Sequence, residues 1–125
     1  MPPIRSRTAL GRRAELAVAD YLVANGFGIL ARNLRLGALE LDLVARHRGL
    51  VAVVEVRTRA SQSFEGPFAS IGKAKRERLV RAVERLWRER LAAIPAVERV
   101  RIDVAAVTFE GGQTHVEYVK GAVGA

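Results

Sequence analysis

Two acidic residues, Asp42 and Glu55, are the side chains whose type and spacing point most directly to chemistry. They lie in two segments of alternating apolar and polar residues, one on each side of a break at residues 47–49. Alternation with a period of two predicts β-strands, and Gly49 fits a tight turn that needs a positive φ. In a hairpin folded about Arg48 and Gly49, the numbers of paired residues sum to 97, so Asp42 lies opposite Glu55.

Directly opposed carboxylates repel each other and weaken a sheet, so we expect a cation to neutralise this pair. A divalent metal, Mg²⁺ or Mn²⁺, could be held by Asp42 and Glu55, with water and a substrate phosphate completing the shell. Such a metal would activate water for phosphodiester hydrolysis. Arg57 or Arg59 could neutralise the pair without a metal. A solvated strand face with cross-strand Glu–Arg pairs would also explain the pattern.

The elements around this hairpin predict which side chains share its polar face. Glu40, Arg57 and Arg59 have the same parity as the two acids. The opposite face should be apolar and carry Leu39, Leu41, Leu43, Val54 and Val56. Glu15, early in the first helix, could be a third metal ligand or orient water, or it could simply be an acid favoured near a helix N-terminus.

A basic helix is predicted over residues 68–92, with eight Lys and Arg residues against three Glu residues. Such a helix could lie along a phosphate backbone, with Lys73, Lys75 and Arg78 touching phosphates and Arg59 nearby. The alternative is a solubilising outer face with Glu–Arg pairs four residues apart. The excess of positive charge favours binding.

Composition bounds the class of protein. The chain has 125 residues, a net charge of +8 and no cysteine, and half of its residues are hydrophobic. These values predict one globular domain with an anionic partner. Nucleic acid is the first choice of partner, and an acidic protein or an acidic membrane surface is the second. The missing cysteines exclude disulfides and thiolate sites, which favours the cytoplasm. No apolar run reaches the length of a membrane span.

The predicted elements form an α/β domain of order αβββαββ, with a mixed sheet flanked by helices. We expect a basic arm over residues 1–10, the domain over 11–120 and a tail over 121–125. The helices are predicted at 9–25 and 68–92, and the strands at 27–35, 38–46, 50–58, 98–109 and 114–119. Asp103, in the fourth strand, could be another acid near the site, but we rather expect it to pair with a nearby arginine.

Over residues 11–109 the chain resembles the YraN-like family of uncharacterised bacterial proteins. That family is similar to the PD-(D/E)xK nucleases and to archaeal Holliday-junction resolvases. The resemblance rests on residues in both helices and four strands, including Gly11, Glu15, Tyr21, Gly26, Asn33, Arg35, Glu40, Asp42, Glu55, Arg57, Lys75, Arg101 and Asp103.

The resemblance implies a restriction-endonuclease-like core of order αβββαβ. It implies that Glu15, Asp42 and Glu55 match the acidic residues of the nuclease motif, and that Lys75 matches a basic position early in the second helix. One position departs from the family pattern, because Arg57 replaces the lysine of Glu-x-Lys. Arginine stays charged, so Arg57 could orient water or stabilise an anion but could not act as a base.

The function expected from the sequence is therefore binding of nucleic acid, DNA in the first place, by a nuclease-like domain. Mg²⁺-dependent cleavage of branched or structured DNA is the enzymatic form of this hypothesis. A DNA-binding module without catalysis, its metal site impaired by Arg57, is the alternative. A protein-interaction scaffold is a third. A homodimer is an option left open by analogy with junction-cutting enzymes.

Overall fold

The computed structural model describes residues 9–59 and 71–123. The order αβββαββ is confirmed, with one π-helical turn added after the second helix. The elements are α1 (Ala9–Ala24), β1 (Gly28–Leu36), β2 (Leu39–His47), β3 (Leu50–Arg59), α2 (Lys73–Leu86), the π-helical turn (Trp87–Leu91), β4 (Arg99–Glu110) and β5 (Gln113–Val123).

The five strands form a single mixed sheet in the order β1-β2-β3-β4-β5. Neighbouring strands are antiparallel except for β3 and β4, which are parallel. Parallel neighbours need a crossover connection, and α2 lies in that connection. The predicted mixed sheet flanked by helices is therefore confirmed.

Each face of the sheet is covered by one helix. Helix α1 packs with Leu43, Ala52 and Val54, whereas α2 packs with Val44 and Val53. The hairpin was predicted to have one apolar and one polar face, and this was wrong, because Val44, Val51 and Val53 are buried under α2. Leu39 and Leu41 also lie on the α2 side, whereas Leu43, Val54 and Val56 lie on the α1 side. Charged residues on the α2 side therefore lie next to a core rather than on a solvated face.

In the β2–β3 turn, the positive φ was predicted at Gly49, but the structure has it at Arg48. Arg48 has a φ of 55°, and Gly49 is absent from the glycines with positive φ. Gly49 instead lies against the side chain of Glu98, whose Oε1 atom a Cβ at this position would meet. The Gly49 carbonyl accepts hydrogen bonds from the backbone N–H groups of Glu98 and Arg99, so it joins the hairpin to the start of β4.

Three predicted boundaries shift in the structure. Helix α2 begins at Lys73, and the expected start at residue 68 lies outside the described residues. Strand β5 extends beyond residue 119 to Val123, so the first part of the expected tail belongs to the sheet. The basic arm is expected over residues 1–10, but residues 9 and 10 already belong to α1 and residues 1–8 lie outside the description.

Asp103 is fully buried in β4 and is neutralised by the expected arginine. Its carboxylate accepts two hydrogen bonds from Arg101, at 2.7 and 2.9 Å, and one each from the Tyr118 hydroxyl and the Gly121 N–H. The hydrogen bond to Asp103 raises the pKa of Arg101, and burial followed by the same carboxylate raises the pKa of Tyr118. The prediction that Asp103 pairs with an arginine is confirmed.

Within the described ranges, 9–59 and 71–123, we find no helix with the length and apolar character needed to cross a membrane.

Candidate metal and nucleic-acid site

The two acids of the hairpin lie just beyond the end of the β2–β3 ladder. Backbone pairs run from His47–Leu50 to Leu43–Val54, and all of them have the predicted register. One residue further, the carboxylate of Asp42 replaces the backbone as acceptor, because Asp42 Oδ2 takes the Val56 N–H at 2.8 Å. The strands part here, which makes room for side chains between β2, β3 and α2.

Glu55 lies at the bottom of this opening and is only 7% exposed. Its Oε1 atom is 3.3 Å from Nζ of Lys75, which reaches down from the first turns of α2. Desolvation raises the pKa of Glu55 above its ordinary value, and the negative charge of Asp42 adds to this effect. The positive charges of Lys75 and then Arg57 act in the opposite direction. Such a shift at a carboxylate in a cleft is typical of functional sites.

A polar pocket of about 330 Å³ surrounds the two acids. We call it the carboxylate pocket. It is lined by Arg35, Ala38, Leu39, Glu40, Asp42, Glu55, Lys75 and Arg78. Three cationic side chains therefore share one pocket with three acids, an arrangement that suits a phosphate group beside a cation.

The donor set fits a hard divalent cation, since Asp42 and Glu55 supply carboxylate oxygens and Mg²⁺ needs only one or two of them from protein. Among the described residues, however, no group of three or more acidic or histidine side chains could hold a metal ion. A metal at this pocket would therefore depend on two carboxylates, and at Glu55 it would compete with the Lys75 ammonium.

Two other residues expected at the site, Glu15 and Arg57, do not line the carboxylate pocket. Glu15 is buried in α1, which covers the opposite face of the sheet, and it does not line the carboxylate pocket. Arg57 is partly buried in β3 and acts on Glu55 through its charge. The structure therefore brings Asp42, Glu55 and Lys75 together in one pocket, and the role of Glu15 stays a prediction.

Of the expected phosphate-binding residues, Lys75 and Arg78 line the carboxylate pocket, whereas Lys73 is exposed at the start of α2. Arg59 ends β3, and its side chain lies outside the description. Sequence reasoning did not assign Arg35 to the site, although it lines the pocket; its partner in the β1–β2 ladder is Glu40. The signal was available, because Arg35 alternates with apolar residues in a predicted strand.

The model of an uncharacterised protein family, UPF0102, matches residues 14–107, which include both acids and Lys75. The chain belongs to this family. The resemblance to YraN-like proteins is thereby confirmed. A UPF0102 protein of Sorangium cellulosum is 48% identical over 97% of the chain and 85% of its own length. A UPF0102 protein of an Arthrobacter species is 37% identical over 94% of the chain and 98% of its own length.

A solved structure of Pyrococcus furiosus SfsA in complex with Ca²⁺ is similar to this member of UPF0102 over 88% of the chain. The TM-score is 0.43, and 17% of the aligned residues are identical. The chain spans about three-fifths of that protein, because 62% of the SfsA chain is covered. At this degree of similarity no residue role passes from SfsA to this chain.

Proposed function

We propose that this UPF0102 protein binds nucleic acid, DNA in the first place, and cleaves branched or structured DNA with Mg²⁺ or Mn²⁺. One observation carries the proposal. Where the β2–β3 ladder opens, Asp42 and buried Glu55 share a pocket with Lys75, whose Nζ is 3.3 Å from Glu55 Oε1. Paired carboxylates beside a cationic side chain suit metal-assisted phosphodiester chemistry.

The two acids of the pocket and the basic residues in and around it have distinct roles under this proposal. Asp42 and Glu55 would hold the cation, which when bound would polarise a phosphate and help to activate water. The bond from the Val56 N–H fixes the orientation of Asp42. Lys75 and Arg78 would contact phosphate oxygens, and Lys73 and Arg59 would extend these contacts. Arg57 would stabilise negative charge but would not remove a proton.

The test is cleavage of labelled linear, flapped, forked and four-way DNA with Mg²⁺ or Mn²⁺. Asp42→Asn and Glu55→Gln should abolish cleavage and weaken binding of Mg²⁺ measured by calorimetry. Asp20→Asn, an exposed acid on α1, is the control that removes the same charge away from the pocket. Cleavage that survives both pocket variants would refute the enzymatic proposal.

A non-catalytic DNA-binding module is the second candidate, and the Lys75–Glu55 contact favours it because the protein itself supplies a cation there. This candidate predicts DNA affinity that falls steeply with salt and survives Asp42→Asn and Glu55→Gln, with no cleavage in any metal. If the protein bound no form of DNA at physiological salt, the result would favour the third hypothesis, a scaffold that binds an acidic protein. Light scattering of the purified protein would test the homodimer.

A further inference from the structure

The carboxylate pocket continues into a second groove on the same side of the sheet. The two cavities share Ala38, Leu39 and Arg78 in their linings. The second cavity, of about 260 Å³, lies between α2 and the turn that joins β1 to β2. We call it the arginine groove; it is lined by Leu36, Ala38, Leu39, Arg78, Arg81, Ala82 and Arg85.

Three cations follow one wall of the arginine groove. Arg78, Arg81 and Arg85 are spaced three and four residues apart, so they share one face of α2, and all three are exposed. At a rise of 1.5 Å per residue, the row extends about 10 Å along the helix. No acidic residue of the described chain lines this groove.

The opposite wall is the β1–β2 turn, which approaches the helix closely. A Cβ placed on Gly37 would lie 3.3 Å from Nη1 of Arg85. Arg85 also pairs with Glu89, but both side chains are nearly half exposed, so the pair is weak and a phosphate can compete with it. Leu36, Ala38, Leu39 and Ala82 give the groove an apolar floor suited to sugar or base faces.

A larger cavity of about 540 Å³ on the far side of α2 differs in chemistry. Its lining is mostly apolar, and it includes Glu84 together with Arg88 and Arg101. Arg101 is already bonded twice to Asp103. Unlike this larger cavity, the arginine groove combines a regular row of cations with direct continuity to the carboxylate pocket.

We propose that the arginine groove holds the backbone of one nucleic-acid strand as it leaves the carboxylate pocket. The strand runs along α2 from Arg78 towards Arg85, with the β1–β2 turn on its other side. If the strand keeps the axial rise of about 3.4 Å per nucleotide that it has in B-DNA, the row spans roughly three nucleotides. This inference rests on the proposed binding of nucleic acid and adds the residues and the direction of the strand.

The test compares two double variants that lose the same charge. Arg81→Gln with Arg85→Gln removes the row, and Arg76→Gln with Arg90→Gln removes exposed arginines outside the groove. Binding is measured without divalent metal by fluorescence anisotropy, with labelled single-stranded and duplex DNA at several salt concentrations. Circular-dichroism melts verify that both variants fold.

We expect the groove variant to bind single-stranded DNA at least tenfold more weakly and the control variant less than threefold more weakly. The slope of log K against log salt should fall by about 1.4 for the groove variant, since two phosphate contacts are lost. In NMR spectra, single-stranded DNA should shift the Gly37 and Ala38 amides of the wild type but not of the groove variant.

Three outcomes would overturn the inference in distinguishable ways. Equal weakening by both variants would show diffuse charge attraction and would leave the proposed function standing. Wild-type protein that binds neither DNA form would refute the proposed function itself. Shifts of Gly37 and Ala38 with a polyglutamate peptide but not with DNA would assign the groove to an acidic protein.

Discussion

Lys75 Nζ lies 3.3 Å from Glu55 Oε1, which links the first turns of α2 to the buried end of the β2–β3 hairpin. Two neighbouring carboxylates need a cation to balance their charge, and the protein supplies one of its own through Lys75. It also places a lysine beside the acids, although Arg57 stands where the nuclease-like pattern expected from the sequence has a lysine. The charge balance of the pocket therefore depends on Lys75, a residue of α2 rather than of the hairpin.

Replacing Lys75 with methionine should raise the pKa of Glu55 further. Lys75 lowers this pKa through both its charge and its hydrogen bond, while desolvation and Asp42 raise it. The measurement is an NMR titration of the Glu55 side-chain carboxyl. Lys73→Met removes an exposed lysine from the same helix end and is the control. An unchanged Glu55 titration in Lys75→Met would contradict the structure.

Glu55 should make the protein less stable as the pH rises. Its pKa is raised in the folded state, so the folded protein holds the Glu55 proton more tightly than the unfolded chain does. The stability from this proton is complete below the ordinary value of 4.5 and is lost as the pH rises through the raised value. The free energy of unfolding of the wild type, relative to Glu55→Gln, should therefore fall over that range in denaturant titrations. A constant difference would refute this prediction.

Arg57→Lys should increase Mg²⁺-dependent cleavage if the arginine is what limits the site. A lysine can lose its proton when desolvated, and acid–base assistance typically contributes 10²–10⁴-fold, so we expect a gain of at least about tenfold. Arg32→Lys, an exposed change on β1, is the control. No gain from Arg57→Lys, together with loss of cleavage in Lys75→Met, would assign the lysine role to Lys75.

Asp103→Asn should destabilise the fold by about 3–5 kcal/mol. The change leaves Arg101 without its carboxylate partner and disturbs the bonds from Tyr118 and Gly121. Denaturant unfolding measures the loss, and Asp20→Asn should change stability by less than about 0.5 kcal/mol because that side chain is exposed. A loss below 1 kcal/mol would show that the Asp103 network is not a major support of the sheet.

Gly49→Ala should cost at most about 1 kcal/mol, because the new Cβ meets the side chain of Glu98, which is exposed and can move aside. Shortening Glu98 to alanine should restore most of this loss. A double-mutant cycle by thermal unfolding measures the coupling between the two positions. Additive effects would mean that the cost of Gly49→Ala arises from the backbone rather than from the contact.

The hairpin register could be predicted because turn position and alternation fix it together. The break at residues 47–49 and the apolar parity allow one pairing, and the ladder from His47–Leu50 to Leu43–Val54 follows it. The helices were predictable for a similar reason, since Val18 and Leu22 recur at helical spacing and Gly26 ends α1 with a φ of 89°.

Sequence alone could not say which face of the hairpin is buried, because that depends on where α2 crosses the sheet. Val44 and Val53 alternate with the apolar residues and so share the face predicted to be polar, but α2 makes that face part of the core. The Lys75–Glu55 contact was inaccessible for the same reason, since it joins residues twenty positions apart. The role of Gly49 likewise depends on Glu98, which a local turn pattern does not include.

The bond from the Val56 N–H to Asp42 gives the pocket a built-in reporter. Most amides of a sheet donate their hydrogen bonds to backbone carbonyl groups, which stay neutral over the ordinary pH range. The Val56 amide is instead bonded to a carboxylate whose charge changes when a proton or a metal arrives. Its exchange rate and chemical shift should therefore register occupancy of the pocket directly, without any label or substrate.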